Sequence, residues 1–158
     1  MKFTHRARQL TLSLALIIAS SLGVATGVHS AEPSRYEVKS GPYTVYYSLF
    51  PSTFITPDVA SAYNIKRGKN NAVLNVSVRK DLPEGGDREQ PAQVSGISSD
   101  LIHRTPLPFT EIRERGAVYY LAQITVTGSP LLYFELTVQP EPDAAAIPIS
   151  FKQQLFAQ

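Results

Sequence analysis

No cysteine occurs among the 158 residues. That absence excludes a disulfide framework, a thiolate metal site, a cysteine nucleophile and an N-terminal lipid-bearing cysteine together. Histidine is scarce as well. Only His5, His29 and His103 are present, and the first two fall in a stretch expected to be cut away. A multi-histidine metal site is then impossible, and zinc would have to be held by carboxylates alone. Tryptophan is missing, whereas tyrosine occurs eight times. Without covalent staples the fold must rest on packing, and a chain of this size can bury roughly two thirds of its surface in one core.

Long apolar runs are also few. The one present, Leu10 to Val28, is broken only by small and hydroxylated residues and follows Lys2, Arg6 and Arg8 with no acid among them. Val28-His29-Ser30 or His29-Ser30-Ala31 then offers a small-residue cleavage site, the layout of a secretory signal peptide. An uncleaved anchor would need nearly the whole run to cross about 30 Å of hydrocarbon, and no basic stop-transfer cluster follows it. The expected organisation is a signal peptide over 1–31 and a single domain over 32–158. Removing 1–31 leaves 12 Lys and Arg against 13 Asp and Glu. A nearly neutral chain is not a general nucleic-acid binder.

What the mature part has is alternation of period two, the mark of strands with one face on a core. It runs through Tyr43 to Leu49, Leu74 to Val78, Val118 to Val126, Leu132 to Val138 and Ile147 to Phe151. Weaker strands are expected between Ala92 and His103 and from Phe109 to Arg113. Thr127-Gly128-Ser129-Pro130 and Glu114-Arg115-Gly116 supply turns. The polar stretch Leu82 to Gln90 is expected to be a mobile loop. Thr56-Pro57-Asp58 predicts one short helix. About seven strands joined by short turns point to an all-β fold, a two-sheet antiparallel immunoglobulin-like sandwich. A closed barrel would need an eighth comparable strand.

Candidate chemistry is thin. Ser98 or Ser99 with Asp100 and His103 could form a hydrolytic triad, but such triads gather distant segments and no Gly-x-Ser-x-Gly elbow is present. Ser77-Val78-Arg79-Lys80 has Ser-x-x-Lys spacing, which works on a helix; on a strand Ser77 and Lys80 face opposite ways. Lys66, Arg67 and Lys69 form the dense basic cluster of the mature chain, able to contact an anion or an acidic partner, or merely to solvate a loop. Tyr46, Tyr119 and Tyr133 lie opposite their strands' apolar stripes and could form an aromatic face for a sugar or partner, or pack as ordinary cross-strand cover.

The run Tyr47-Ser48-Leu49-Phe50-Pro51-Ser52-Thr53-Phe54-Ile55-Thr56-Pro57-Asp58-Val59-Ala60 continues through Ala62 to Asn70 into Leu74-Asn75-Val76-Ser77-Val78. It resembles the signature of DUF4426, a family of exported proteobacterial proteins of unknown function. The ending Phe151-Lys152-Gln153-Gln154-Leu155-Phe156 is similar to that family's ending. The sequence departs from the pattern at Asn64, where glycine is expected, and at Gly68, where serine is. The resemblance implies an immunoglobulin-like sandwich in the periplasm of a Gram-negative bacterium, and it carries over no activity and no site residues. The expected role is a non-enzymatic periplasmic binding or accessory module for another envelope protein, with no cofactor, no nucleic acid and no lasting membrane insertion. The alternatives are a small-ligand or carbohydrate binder using the tyrosines, and a carboxylate-based hydrolase.

Overall fold

A computed structural model describes residues 35–127 and 130–156. Its strands are β1 (Arg35–Ser40), β2 (Tyr43–Pro51), β3 (Asn71–Asp81), β4 (Asp87–Glu89), β5 (Gln93–Ser99), β6 (Arg104–Pro106), β7 (Thr110–Glu114), β8 (Ala117–Thr125), β9 (Leu131–Gln139) and β10 (Ile147–Gln154). A 3-10 turn (Ser52–Phe54) and the helix α1 (Pro57–Ala62) join β2 to β3. The first sheet runs β1-β2-β3-β8-β7, with β4 beside β3, and the second runs β10-β9-β5-β6. Seven of these strands, β2-β3-β8-β7 against β10-β9-β5, reproduce the constant-type immunoglobulin order. The expected signal peptide and the turn centre Gly128-Ser129 lie outside the described residues.

Alternation decides what is buried. Val45, Leu74, Val76, Val78, Ala122 and Ile124 point inward from the first sheet and meet Phe134, Leu136, Val138, Ile147 and Ile149 of the second, all buried. An aromatic series crosses between the two sheets, from β2 to β10. Tyr36 stacks on Tyr47 at 5.4 Å, Tyr47 meets Phe151 at 4.9 Å, and Phe151 stacks on Phe134 at 4.7 Å. These spacings suit offset aromatic contact. The Tyr120 hydroxyl adds a polar tie, accepting the Ala92 N–H at 2.7 Å and donating to Glu111 at 3.0 Å.

Two expectations need correction. The stretch Leu82 to Gln90 is not all mobile loop, because Asp87–Glu89 pairs with β3 and Arg79 holds both Asp87 and Glu89 through ion pairs. The strand count rises from about seven to ten among the described residues. The additions β1, β4 and β6 are edge pieces of six, three and three residues; β1 has only the short stripe of Tyr36 and Val38, and β4 and β6 have none and are held by their neighbours.

Helix α1 starts where Thr56-Pro57-Asp58 predicts, although the Thr56 side chain makes no capping bond. It buries Ala60 and, through the loop beyond, Ile65 against Val73 on the outer face of the first sheet. Asn64 ends this unit with φ +54, a left-handed position that glycine takes freely and asparagine tolerates. The family pattern's glycine at that position has the same conformational reason. Among the described residues no helix is long and apolar enough to cross a membrane.

Candidate functional site

Pro106 and Pro108 carry the chain from β6 in the second sheet to β7 in the first. Proline has no N–H to give to a sheet ladder, and β7 begins only at Thr110, opposite Leu121. Beyond Leu121, β8 has β3 on one side and, among the described residues, no strand on the other. Between that bare segment and the β5–β6 hairpin opens a cavity of about 520 Å³. Leu107, Ile124 and Leu132 give it an apolar wall, and Ser98, Thr105 and Thr125 add hydroxyls.

The hairpin at its rim is stiffened locally. Asp100 Oδ1 accepts the N–H groups of Ile102 at 3.0 Å and His103 at 2.7 Å, and Oδ2 meets His103 Nδ1 at 3.2 Å. Ser99 Oγ accepts the Leu101 N–H at 3.1 Å. Leu101 takes φ +77, unusual for leucine. The result is that Leu101 and Ile102, 76% and 83% exposed, stand out at the tip. Sequence reading missed them, because Ser98 to His103 scans as a weak continuous strand and the Asp100 turn that throws the two side chains outward has no glycine to announce it.

These same bonds bear on catalysis. Ser98, Ser99, Asp100 and His103 do line one cavity, and the Asp100–His103 couple forms. Yet Ser99 Oγ is taken up by a backbone N–H, and among the described residues no hydrogen bond joins the imidazole to either serine. The Asp100 carboxyl is lowered to about 2, first by the His103 N–H, then by that of Ile102 and by the imidazole. A depressed carboxylate stabilises the fold fully above its ordinary pKa of about 4, and the effect is lost as pH falls through the folded value. The Ile102 and His103 amide resonances are therefore expected to hold to about pH 3 and to move as pH nears 2. A transition near pH 4 in a pH series of amide spectra would contradict these bonds.

The basic residues divide into two kinds. Arg67 Nε donates to Ile55 O at 2.6 Å and its terminal nitrogen to Thr53 O at 3.1 Å, so it clamps the turn that follows β2. Lys66 uses its backbone N–H on Gln123 at 2.7 Å, while its side chain and that of Lys69 are exposed and enter no ion pair among the described residues. Arg67→Gln is expected to cost about 1 kcal/mol, and Lys66→Gln or Lys69→Gln less than about 0.5 kcal/mol. Urea unfolding of the three variants checks this.

The tyrosines do not form one face. Tyr46 on β2 and Tyr119 on β8 sit on the outside of the first sheet, on either side of β3, with the Arg35 guanidinium 5.8 Å from the Tyr46 ring. Tyr133 lies on β9, between Ser99 and Lys152, on the outside of the second sheet. Each obeys its own strand's alternation, but that rule does not say which sheet a strand joins. None of the three lines the large cavity. Ser77 and Lys80 face opposite ways as expected, Ser77 paired with Tyr46 and Lys80 with Tyr43.

At the other end of the sandwich a cavity of about 360 Å³ holds two carboxylates, Glu141 and Asp143. Glu141 accepts from Tyr43 at 2.7 Å and from Lys80 at 2.8 Å. Lys80 and Tyr43 together push its pKa down. A carboxylate held in its charged form on both oxygens is ill suited to deliver protons.

Comparison with known proteins fits this architecture. A DUF4426 protein of Pseudomonas aeruginosa PAO1, known from its crystal structure, is 30% identical, with a TM-score of 0.68 over 78% of this chain and 96% of its own. FetP of uropathogenic Escherichia coli, produced in the periplasm of an E. coli host, is 10% identical, with a TM-score of 0.55 over 80% of this chain and 97% of its own. A copper-bound variant of FetP gives 11%, 0.53, 80% and 97%. At such identity FetP shares the fold alone. Among the described residues no three of His, Cys, Asp and Glu gather into a group that could hold a metal ion. No curated protein matches the chain. The family model described as "Domain of unknown function (DUF4426)" matches residues 37–158, and the chain belongs to the DUF4426 family.

Proposed function

We propose that the domain is a non-enzymatic binding or accessory module that engages another protein of the bacterial envelope, in the periplasm. The observation that carries this reading is the β5–β6 hairpin: two large aliphatic side chains, Leu101 and Ile102, held out to solvent by a rigid turn beside an open cavity. Leaving them in water forgoes roughly 1.5–3 kcal/mol each. A turn pinned by Asp100 cannot fold them away, so a partner that covers them gains that amount without first ordering a loop. Periplasmic placement is supported by the signal-peptide pattern of residues 1–31.

The test uses the tagged mature protein on detergent-solubilised envelope. The wild type is expected to retain a defined envelope protein, and the double variant Leu101→Ser with Ile102→Ser to lose it at unchanged melting temperature. Equal retention by both proteins would remove the hairpin from the interface, and no retained protein would end the binding reading.

A further inference from the structure

The geometry points to strand addition: the partner docks an extended segment of about five residues along the bare edge of β8, antiparallel to it and in line with β7. This rests on the binding reading above and adds the mode of recognition.

The register identifies the docking groups. The Val126 N–H donates to Asn70 O at 2.7 Å, which makes that pair a hydrogen-bonded one. In an antiparallel ladder such pairs alternate. With Ala72 opposite Ile124 and Leu74 opposite Ala122, the even-numbered residues of β8 turn their N–H and C=O groups to β3. The odd-numbered residues turn theirs the other way. Leu121 meets Thr110 of β7, but among the described residues Gln123 and Thr125 have no strand opposite. Four main-chain groups, two donors and two acceptors, therefore point toward the cavity in the spacing of a β-ladder. Another extended backbone is the complement they fit.

Other edges are guarded against such pairing. The Leu155 N–H donates to Pro130 O, so along β10 the even-numbered positions face outward. The first of these, Pro148, has no N–H, and Lys152 adds a charge to that edge. β1 carries Arg35, Glu37 and Lys39 at alternate positions. Proline and charge are the usual devices for keeping sheet edges unpaired. At the β8 edge the corresponding residues are Gln123 and Thr125, both uncharged. The edge is bare because Pro108 cannot continue β7, and it opens onto an apolar wall.

That wall sets the sequence of the occupant. A residue opposite Ile124 points inward, toward Leu107 and Leu132, whereas residues opposite Gln123 and Thr125 point outward. The segment should read polar-apolar-polar, with an aliphatic or aromatic residue in the middle.

A random heptapeptide library selected on the mature domain supplies the probe. Selected peptides are expected to share one central apolar residue and to slow amide exchange at Gln123 and Thr125 while leaving Ile124 unchanged. N-methylation at alternate peptide positions is expected to weaken binding by about tenfold or more. Thr125→Pro removes one edge donor and should weaken the same peptides without changing the β3 ladder. If that variant fails to fold, the N-methyl series still decides. Peptides that protect other amides, or that bind equally when N-methylated, would overturn strand addition, as would failure to select any. Retention of an envelope protein without slowed exchange at Gln123 and Thr125 would overturn strand addition alone. Slowed exchange with a selected peptide, but no envelope protein retained, would overturn the accessory role alone.

Discussion

Replacing Phe134 with alanine is expected to lower the unfolding free energy by about 3–5 kcal/mol. Phe134 is 1% exposed and stands in the middle of β9, between β10 and β5. Its ring stacks on Phe151 at 4.7 Å, and Phe151 in turn meets Tyr47 of the opposite sheet. Truncation thus removes the transfer free energy of the ring and also leaves a void that two close-packed sheets cannot close. It breaks the aromatic series at its buried end as well. With total stabilities of small domains near 5–15 kcal/mol, the variant should unfold at markedly lower urea concentration. An unchanged urea midpoint would mean that β9 presents its other face to the core.

The second large effect is expected at Gly96. This residue pairs with Leu136 on β9, and a Cβ added there would lie 2.5 Å from Leu136 Cδ2 and 2.8 Å from the Glu135 carbonyl oxygen. The leucine tip can turn aside, but the carbonyl belongs to the backbone and can retreat only if β5 separates from β9. Gly96→Ala should cost about 1–3 kcal/mol. The Gly96 carbonyl accepts the Leu107 N–H at 2.9 Å, so the same substitution should speed Leu107 amide exchange at the cavity wall. A variant as stable as the parent, with Leu107 unchanged, would show that the strands are not this close.

The architecture was legible in the sequence because burial follows period two. Leu74, Val76, Val78, Ile124, Phe134 and Leu136 are all expected in the core from alternation, and all are buried. What alternation cannot convey is which sheet a strand joins, and for that reason Tyr46 and Tyr119 part from Tyr133. Nor does it register elements held by other forces. β4 depends on Arg79 reaching across to Asp87 and Glu89. Val73 looks like an outward residue of β3, yet α1 and Ile65 cover it.

The site was less legible than the fold. Arg67 reads as one of three equivalent charges until the carbonyls of Thr53 and Ile55 are seen within its reach. Leu101 and Ile102 read as strand until Asp100 is seen to turn the chain. The bare edge of β8 arises from Pro108, whose place opposite β8 depends on a pairing between strands that sequence periodicity does not report.

Site-specific photo-cross-linking in living cells can capture an envelope protein at the hairpin end of the sandwich. A photoreactive phenylalanine analogue is placed either at Ile102, on the hairpin tip, or at Ser150, on the outer face of the second sheet. Position 102 is expected to give one discrete cross-linked species of higher mass, and position 150 none. The same species from both positions, or from 150 alone, would contradict contact at the hairpin end.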